Sequence, residues 1–289
     1  MSEADTASVF EAQRPRLTRL AYRMLGSVAE AEDAVQDAWL RWNGADRGKV
    51  DDVGAWLAQV TTRLCLDRLK SARARHETYV GPWLPEPLVE EIDDDPLERA
   101  QDVSVAFLLA LQRLSPLERA VFLLHDVFDQ DYGEVARSLG RTEPACRQLA
   151  ARARQHVQEA RPRFAVSDAE AMRLAGAFMQ AAANNDMTAL SNLLTEDAVL
   201  ISDGGGKRKA ALRPMVGRED VMRLIEGLAW RQSAWLTAAG ARVVRINGCP
   251  GLVLQSDDGP MTLAFEPSHD GRIAAIYIVR NPEKLKGVG

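Results

Sequence analysis

Arginine and glutamine side chains recur between Glu143 and Val157 with the spacing of one helix face. In a helix the inward positions follow at steps of four, three and four residues: Cys146, Ala150, Ala153 and Val157. The outward face then carries the long polar side chains Arg147, Gln148, Arg152, Arg154 and Gln155. In the DNA major groove, arginine pairs with guanine and glutamine with adenine. The spacing predicts a DNA-reading helix; a helical hairpin with a solvated basic face is the alternative.

A second, shorter helix must position this reader. Val135, Ala136 and Leu139 form its inner face, and Gly140 supplies the turn. Thr142 or Glu143 can cap the helix that follows. Together these elements predict a helix-turn-helix.

A second basic run, "TTRLCLDRLKSARAR", starts at Thr61, a few residues after Trp56. Its bases Arg63, Arg68, Lys70, Arg73 and Arg75 accompany one acid, Asp67. Basic residues and an aromatic ring on one helix can follow phosphates and stack an exposed base. A solvated amphipathic face is the alternative explanation.

The net charge hides these basic helices. The 289-residue chain has a formal net charge of −5. Seven acids lie between residues 81 and 100 against the single base Arg99, so the acidity belongs to one short segment. A DNA-binding protein is therefore compatible with this composition.

Several classes of protein are disfavoured. No apolar run reaches the roughly 18 residues of a membrane helix, and "MSEADTASVF" lacks the features of a signal peptide. The three cysteines, Cys65, Cys146 and Cys249, lie far apart, which favours a reducing compartment over disulfides or a metal site. We expect a cytoplasmic protein without membrane contact, metal or cofactor.

The periodicity divides the chain into four parts. Residues 1–78 form a helical domain, and residues 79–100 a proline-rich acidic linker. Residues 101–165 form the helix-turn-helix domain. Residues 166–289 begin with helices and continue with strands separated by turn dipeptides such as Asn247-Gly248, which predicts an α+β domain with an antiparallel sheet.

The segment "RPRLTRLAYRMLGSVAEAEDAVQDAWLRW" resembles region two of bacterial sigma factors of the extracytoplasmic-function type. "LSPLERAVFLLHDVFDQDYGEVARSLGRTEPACRQLAARARQHV" resembles their region four. "WLPEPL", "DGGGK" at Asp203–Lys207 and "NPEKL" at Asn281–Leu285 resemble a subgroup with a SnoaL-like, cone-shaped C-terminal domain. The resemblance implies a multidomain fold, with two all-α domains before an α+β cone in which helices pack on a curved antiparallel sheet. It also implies a subunit that gives RNA polymerase promoter specificity.

The resemblance assigns partners to the helix faces. It implies that the polar face of the second helix binds the clamp region of the polymerase β′ subunit through Asp33, Gln36, Asp37 and Arg41. The third helix would open and read the minus-ten element of promoter DNA through Trp56, Thr61, Thr62, Arg63, Arg68 and Arg73. The helix-turn-helix would read the minus-thirty-five element through Thr142, Arg147, Gln148 and Arg152, with Arg154 on phosphate.

The C-terminal domain has two interpretations. As a cyclase or isomerase it would need a tuned acid or base, for which Asp203 is the candidate; a turn aspartate that caps backbone amides is the better reading. His269 is expected in solvent, and Trp230 and Trp235 in packing. As a regulator, it would dock on the linker, and its cavity could also hold an unidentified small ligand.

The regulatory interpretation predicts an interface between three segments. The residues assigned to it are Trp83, Leu84, Pro85, Asp203, Gly204, Lys207, Asn281, Pro282 and Leu285. Lys207 and its basic neighbours would face the linker acids between Glu90 and Asp95. A conventional repressor or activator that binds operators as a dimer is a third hypothesis, but it leaves the N-terminal helical match unexplained.

Overall fold

The computed structural model describes residues 3–76, 79–91, 104–158, 167–231, 241–256 and 258–288. The chain forms two compact units. Residues 1–78 and 108–161 form the first, called here the helical unit, and residues 79–107 and 162–289 the second, called the sheet unit. The linker thus belongs to the same unit as the C-terminal domain.

The N-terminal half of the helical unit is a bundle of three long helices. They are α1 (Glu3–Leu25), α2 (Val28–Asn43) and α3 (Val53–His76). Ser27 caps α2 by accepting a hydrogen bond from the Glu30 amide, as the sequence pattern predicts. The apolar faces meet in a core that includes the fully buried Phe10, Trp42 and Leu57.

The second half of the helical unit contains the helix-turn-helix. α4 (Val105–Gln112) leads to α5 (Pro116–Phe122), a π-helical turn at Leu123–Val127, α6 (Tyr132–Leu139) and α7 (Glu143–Gln158). Capping boxes begin α5 at Ser115 and α6 at Asp131. Gly140, in the left-handed conformation, ends α6 and turns the chain towards α7.

Arginine side chains join the two halves of the helical unit. The buried Arg119 of α5 donates to the Met24 carbonyl at the end of α1. Arg16 of α1 donates to the Phe128 carbonyl at 3.1 Å, and its guanidinium lies 5.5 Å from the Phe128 ring centroid. Each contact places a cation on a partial negative charge, either a carbonyl oxygen or an aromatic face.

The sheet unit is built on a seven-stranded sheet with the order β1-β4-β5-β6-β7-β2-β3. The strands are β1 (Val89–Glu90), β2 (Leu194–Asp203), β3 (Met215–Val216), β4 (Arg242–Ile246), β5 (Cys249–Ser256), β6 (Gly259–Pro267) and β7 (Ile273–Val279). The sheet is mixed, because β2 and β7 are parallel, and the prediction of a purely antiparallel sheet was wrong at this pair. Along the chain, β2 and β7 are separated by β3, a helix at Arg218–Arg231 and the strands β4 to β6.

The two faces of the sheet have different covers. Helices α8 (Asp168–Ala183), α9 (Met187–Leu193) and α10 (Arg218–Arg231) share a hydrophobic core with one face. On the other face, Leu84, Pro85 and Pro87 of the linker line a small cavity of about 10 Å³ with sheet residues such as Ala264 and Tyr277. The linker also adds β1 beside β4, with Val89 opposite Ile246. The linker is therefore part of the fold of this unit.

Within the described ranges, no helix combines the length and apolar character needed to cross a membrane.

Candidate nucleic-acid interface and linker anchor

Helix α7 presents the predicted reader face to solvent. Cys146, Ala150, Ala153 and Val157 are buried, as the periodicity predicts. Gln148 and Arg152 are exposed on the opposite side, and Thr142 is exposed at the start of the helix, where its hydroxyl accepts from the Ala145 amide at 3.4 Å. This arrangement leaves amide and guanidinium groups available to a groove of DNA.

Two further arginines of α7 already have protein partners. Arg147 forms an ion pair with Glu143 at 2.7 Å and lies over the Tyr132 ring. The Nε of Arg154 donates to Asp126 Oδ1 at 2.6 Å, and its Nη2 donates to the Tyr132 hydroxyl at 3.0 Å. The hydrogen bond to Asp126 raises the pKa of Arg154. Arg154, which is predicted to contact phosphate, is bound in this structure to Asp126 and Tyr132.

The predicted polymerase-binding residues lie on α2. Asp33, Gln36 and Arg41 are exposed, and Asp37 is half-buried. Asp37 accepts a hydrogen bond from Arg68 of α3 at 2.8 Å. One of the predicted polymerase contacts is thus joined to one of the predicted minus-ten contacts.

Helix α3 differs from its predicted role at two positions. Thr61 and Thr62 are fully buried, and the Thr62 hydroxyl donates to the Ala58 carbonyl of its own helix at 2.8 Å. Neither side chain is on a surface that DNA could reach in this conformation. Both are buried because α3 packs against α1 and α2 and also against α5 and α6, so few of its positions remain outside.

The other minus-ten candidates lie at or near the surface. The Nε of Arg63 donates to the Ser138 carbonyl at 2.9 Å, and the Gln59 amide to the Arg137 carbonyl at 3.5 Å. Both acceptors are at the C-terminal end of α6, where helix carbonyls carry partial negative charge. Trp56 is half-buried, with its ring 5.5 Å from Trp42. The side chain of Arg73 lies outside the described side chains.

The sheet unit contains a buried carboxylate, Asp203, at the end of β2. Its Oδ1 accepts from the Tyr79 hydroxyl at 2.6 Å and the Gly205 amide at 3.0 Å. Its Oδ2 accepts from the Leu84 amide at 2.8 Å and from Lys284 Nζ at 2.7 Å. A buried carboxylate requires such donors, since an unpaired charge in the interior is costly. Asp203 therefore gathers linker, loop and tail at one point.

The C-terminal tail completes this anchor cluster, defined as Asp203, Tyr79, Leu84, Asn281 and Lys284. Asn281 Nδ2 donates to the Tyr79 hydroxyl at 2.9 Å, and Lys284 Nζ donates to the Leu84 carbonyl. The ammonium also lies 4.2 Å from the Trp83 ring centroid. Burial lowers the pKa of Lys284 and raises that of Tyr79, which also donates to Asp203.

The glycines after Asp203 permit this close packing. A Cβ on Gly204 would lie 2.1 Å from the Arg208 carbonyl oxygen, which is shorter than any allowed contact distance. Gly205 has a φ of +59°, and a Cβ there would lie 2.3 Å from the Asn281 amide nitrogen. Glycine is therefore needed at 204 and 205, because the loop backbone at Arg208 and the tail residue Asn281 leave no room for a side chain.

The structure brings most of the predicted interface residues together. Leu84, Pro85 and Leu285 are buried, Trp83 and Pro282 are half-buried, and Gly204 and Asn281 lie against Asp203. Lys207 differs, because it pairs with Glu283 of the tail, and the acids at 93–95 lie outside the described residues. Sequence reasoning missed Tyr79 and Lys284. Lys284 lies inside the "NPEKL" motif, where a single cation was the available signal.

A second buried carboxyl, Glu266 of β6, lies opposite Cys249, whose Sγ is 3.5 Å from its Oε2. Its Oε1 is buried without a hydrogen-bond partner. Burial raises the pKa of Glu266 to about 7. This group was not singled out in the sequence.

The residues weighed for catalysis do not converge. Asp203 is fully engaged in the anchor cluster, and His269 is exposed in a turn. Trp235 and the side chain of Trp230 fall outside what is described. In the described portion of the chain, no three His, Cys, Asp or Glu side chains are grouped to hold a metal ion.

Comparison with known proteins agrees with this geometry. Residues 9–75 match the family model of sigma-70 region 2, and residues 104–157 match that of sigma-70 region 4. The chain is 40% identical to the ECF RNA polymerase sigma factor SigJ of Mycobacterium tuberculosis, over 97% of this chain and 93% of the relative. A probable ECF sigma factor of the same species, SigI, is 39% identical over 67% of this chain and 69% of its own length.

The crystal structure of M. tuberculosis SigJ is similar along the whole chain. It aligns with a TM-score of 0.80 and 38% identity, covering 97% of this chain and 98% of that structure. The similarity thus includes both helical regions, the linker and the C-terminal domain.

Proposed function

Because the chain belongs to the extracytoplasmic-function sigma factors of RNA polymerase, we propose that it binds core RNA polymerase and directs initiation at specific promoters. Its helical unit recognises the promoter, and its sheet unit modulates the activity. The main support for this function is the solvent-exposed face of α7, which includes Gln148 and Arg152. This helix lies within the residues that match sigma-70 region 4.

The reader of the minus-thirty-five element is α7. Gln148 and Arg152 supply groups that can form paired hydrogen bonds with adenine and guanine edges. Arg147 is oriented by Glu143 and Tyr132 before any DNA arrives. Thr142 is exposed at the N-terminus of the helix, where backbone amides favour a phosphate.

The polymerase contact is the exposed face of α2. Asp33, Gln36 and Arg41 offer charged and amide groups, and the exposed Leu40 adds an apolar side chain to the same part of α2. Asp37 forms an ion pair with Arg68 of α3. Polymerase binding to α2 can therefore affect the minus-ten contacts of α3 through this ion pair. We assign the clamp region of β′ as the partner.

The minus-ten reader is α3. In this structure its polar side chains bind other parts of the protein, as expected of a resting state without DNA. Arg63 and Gln59 are bound to carbonyls at the end of α6. Promoter phosphates offer full negative charges in place of these partial ones. Reading the promoter with both regions requires α3 and α6 to separate, and the helical unit opens when polymerase and DNA replace the internal contacts.

The sheet unit regulates through the anchor cluster. The linker connects the two promoter-reading regions. Asp203 and Lys284 hold it by hydrogen bonds to the Leu84 amide and carbonyl. Anchoring the linker fixes how much free chain lies between the readers, and thereby their effective concentration on one promoter. A small ligand bound by this domain could shift that equilibrium.

In this proposal the C-terminal domain is not an enzyme. Asp203, the carboxylate considered for acid–base chemistry, accepts four hydrogen bonds. The second candidate, a DNA-binding protein with an active cyclase-like domain, requires Asp203 to be available to a substrate. We also propose a cytoplasmic location, where core polymerase and promoters are present.

Run-off transcription with purified core polymerase tests the function. Full-length protein should start RNA at specific promoters, and Arg152→Ala with Gln148→Ala should reduce initiation more than tenfold. A matched control is Arg173→Ala, which removes an exposed arginine from α8.

Chains ending at residue 280 lack Asn281 and Lys284 and should show altered promoter activity. Failure of the full-length chain to associate with core polymerase, or to start RNA at any promoter, would refute the proposal.

A further inference from the structure

One aromatic side chain contacts both tethered arginines of the reader helix. Tyr132, the first residue of α6, has its ring 5.2 Å from the Arg147 guanidinium. Its hydroxyl accepts from Arg154 at 3.0 Å. These arginines are seven residues apart, two helical turns, and therefore lie on one side of α7. Tyr132 joins the first helix of the motif to two points on the second.

Tyr132 is itself held firmly. The capping box of Asp131 and Glu134 fixes the first turn of α6 around it. Its ring stacks on His125, with centroids 3.8 Å apart. The Nδ1 of His125 is 2.7 Å from the Gln130 carbonyl, which fixes the imidazole. A fixed ring can impose its orientation on a flexible side chain.

Tyr132 contacts Arg147 and Arg154 in different ways. Arg154 has its Nε on Asp126 and its Nη2 on Tyr132, so its charge is partly neutralised inside the protein. Arg147 is exposed, and the Tyr132 ring and Glu143 restrict its guanidinium. An arginine loses substantial rotamer entropy on binding, and restricting it beforehand reduces that loss.

We propose that Tyr132 is a positioning residue for minus-thirty-five recognition, which orients Arg147 towards its base pair. This inference rests on the proposed function of α7. Tyr132 itself need not touch a base, because it acts through the guanidinium that it holds.

The test is promoter selection by the holoenzyme. Core polymerase with the full chain transcribes a promoter library randomised across the minus-thirty-five element, and the base preferences are read from the transcripts. Arg147→Ala identifies the position that Arg147 reads. Tyr132→Leu should reduce the preference at that same position about tenfold, because the guanidinium loses its platform.

Tyr132→Phe keeps the ring and removes only the hydrogen bond to Arg154, so base preference should stay within about twofold of the wild type. Since Tyr132 acts through Arg147, the double variant Tyr132→Leu/Arg147→Ala should show the same preference as Arg147→Ala alone. Arg137→Ala, which removes an exposed arginine from α6, is the control for lost charge.

His125→Ala is a second route if Tyr132→Leu does not fold. It loosens the ring without touching Arg147, and should weaken the same preference by a smaller factor. A uniform loss of transcription with unchanged base preferences would overturn the inference, as would Tyr132→Leu and Arg147→Ala effects that multiply. Failure of the wild-type holoenzyme to transcribe any library member would refute the proposed function instead.

Discussion

The helical unit and the sheet unit use charged side chains in opposite ways. In the helical unit, Arg16, Arg63 and Arg119 each contact a separate main-chain carbonyl where its two halves meet. In the sheet unit, one carboxylate, Asp203, accepts four hydrogen bonds from linker, loop and tail. Contacts of the first kind can be lost singly. Those of the second kind share one group and are lost together.

This difference fits two tasks. Separate, replaceable contacts suit the proposed function, in which the two halves part when DNA offers stronger anions. A shared buried centre suits a connection that is either present or absent, because removing one member leaves the others buried without partners. Four experiments test this difference, in order of decreasing expected effect.

The largest expected effect is that of Asp203→Ala. It leaves the Lys284 ammonium buried beside Leu84 without its counter-charge, so we expect about 3–5 kcal/mol less stability for the sheet unit. Urea unfolding measures the loss, and limited proteolysis of the linker reports its release. Glu283→Ala, which breaks the exposed pair with Lys207, is the control and should cost less than about 1 kcal/mol. Equal losses in the two variants would show that Asp203 is not a shared centre.

Glu266 should make the sheet unit less stable as pH rises. Burial raises its pKa from 4.5 to about 7 in the folded protein, so the folded state holds the proton more tightly than the unfolded state. Its favourable contribution is complete below about pH 4.5 and is lost as pH rises through about 7, a difference of about 3 kcal/mol. Glu266→Gln should remove this dependence and stabilise the unit at pH 8. Urea midpoints between pH 5 and 8 measure it, with Glu226→Gln on α10 as the exposed control; parallel pH profiles for wild type and Glu266→Gln would contradict it.

In the helical unit, Arg119→Met should have a smaller effect. The side chain is buried, burial lowers its pKa to about 10, and its main-chain partner is the Met24 carbonyl. Methionine fills much of the volume but leaves that carbonyl without its donor, which costs about 1–3 kcal/mol. Thermal unfolding of the full chain checks this. A loss as large as that of Asp203→Ala would remove the contrast between the two units.

Arg63→Ala should have the smallest effect on stability, within about 1 kcal/mol, because the side chain is exposed and its contact is a single hydrogen bond. If α3 reads the minus-ten element, initiation on duplex promoters should nevertheless fall severalfold, since a DNA contact is removed as well. Run-off transcription measures this, with Arg173→Ala, which removes an exposed arginine from α8, as the control. Increased initiation would mean that the contact with Ser138 only restrains the resting state.

Local patterns predicted much of this molecule. The inward positions of α7 follow from a period of 3.6 residues, and the turns between the C-terminal strands follow from dipeptides such as Asn247-Gly248. Both signals are local and can be recognised in a single sequence. The buried state of Thr61 was not predictable in this way, because α3 is covered from several sides and its periodicity does not identify a solvent face. The parallel pairing of β2 with β7 depends on a long connection that leaves no local pattern.

The anchor cluster shows the same limit at the level of single residues. Asp203 could be selected from its motif, but its partners Tyr79 and Lys284 lie 124 and 81 residues away in sequence. Their side chains have no periodicity that relates them. Only the requirement that a buried carboxylate find donors predicts that such partners exist, and it does not identify them.

The two-residue strand β1 has a consequence for solubility. By pairing Val89 and Glu90 with β4, the linker occupies part of an edge whose amides and carbonyls would otherwise face solvent. Open strand edges recruit extended peptides and promote self-association. If regulation releases the linker, this edge of β4 becomes exposed and prone to self-association. The released state should therefore be short-lived, or another polypeptide should pair with the edge.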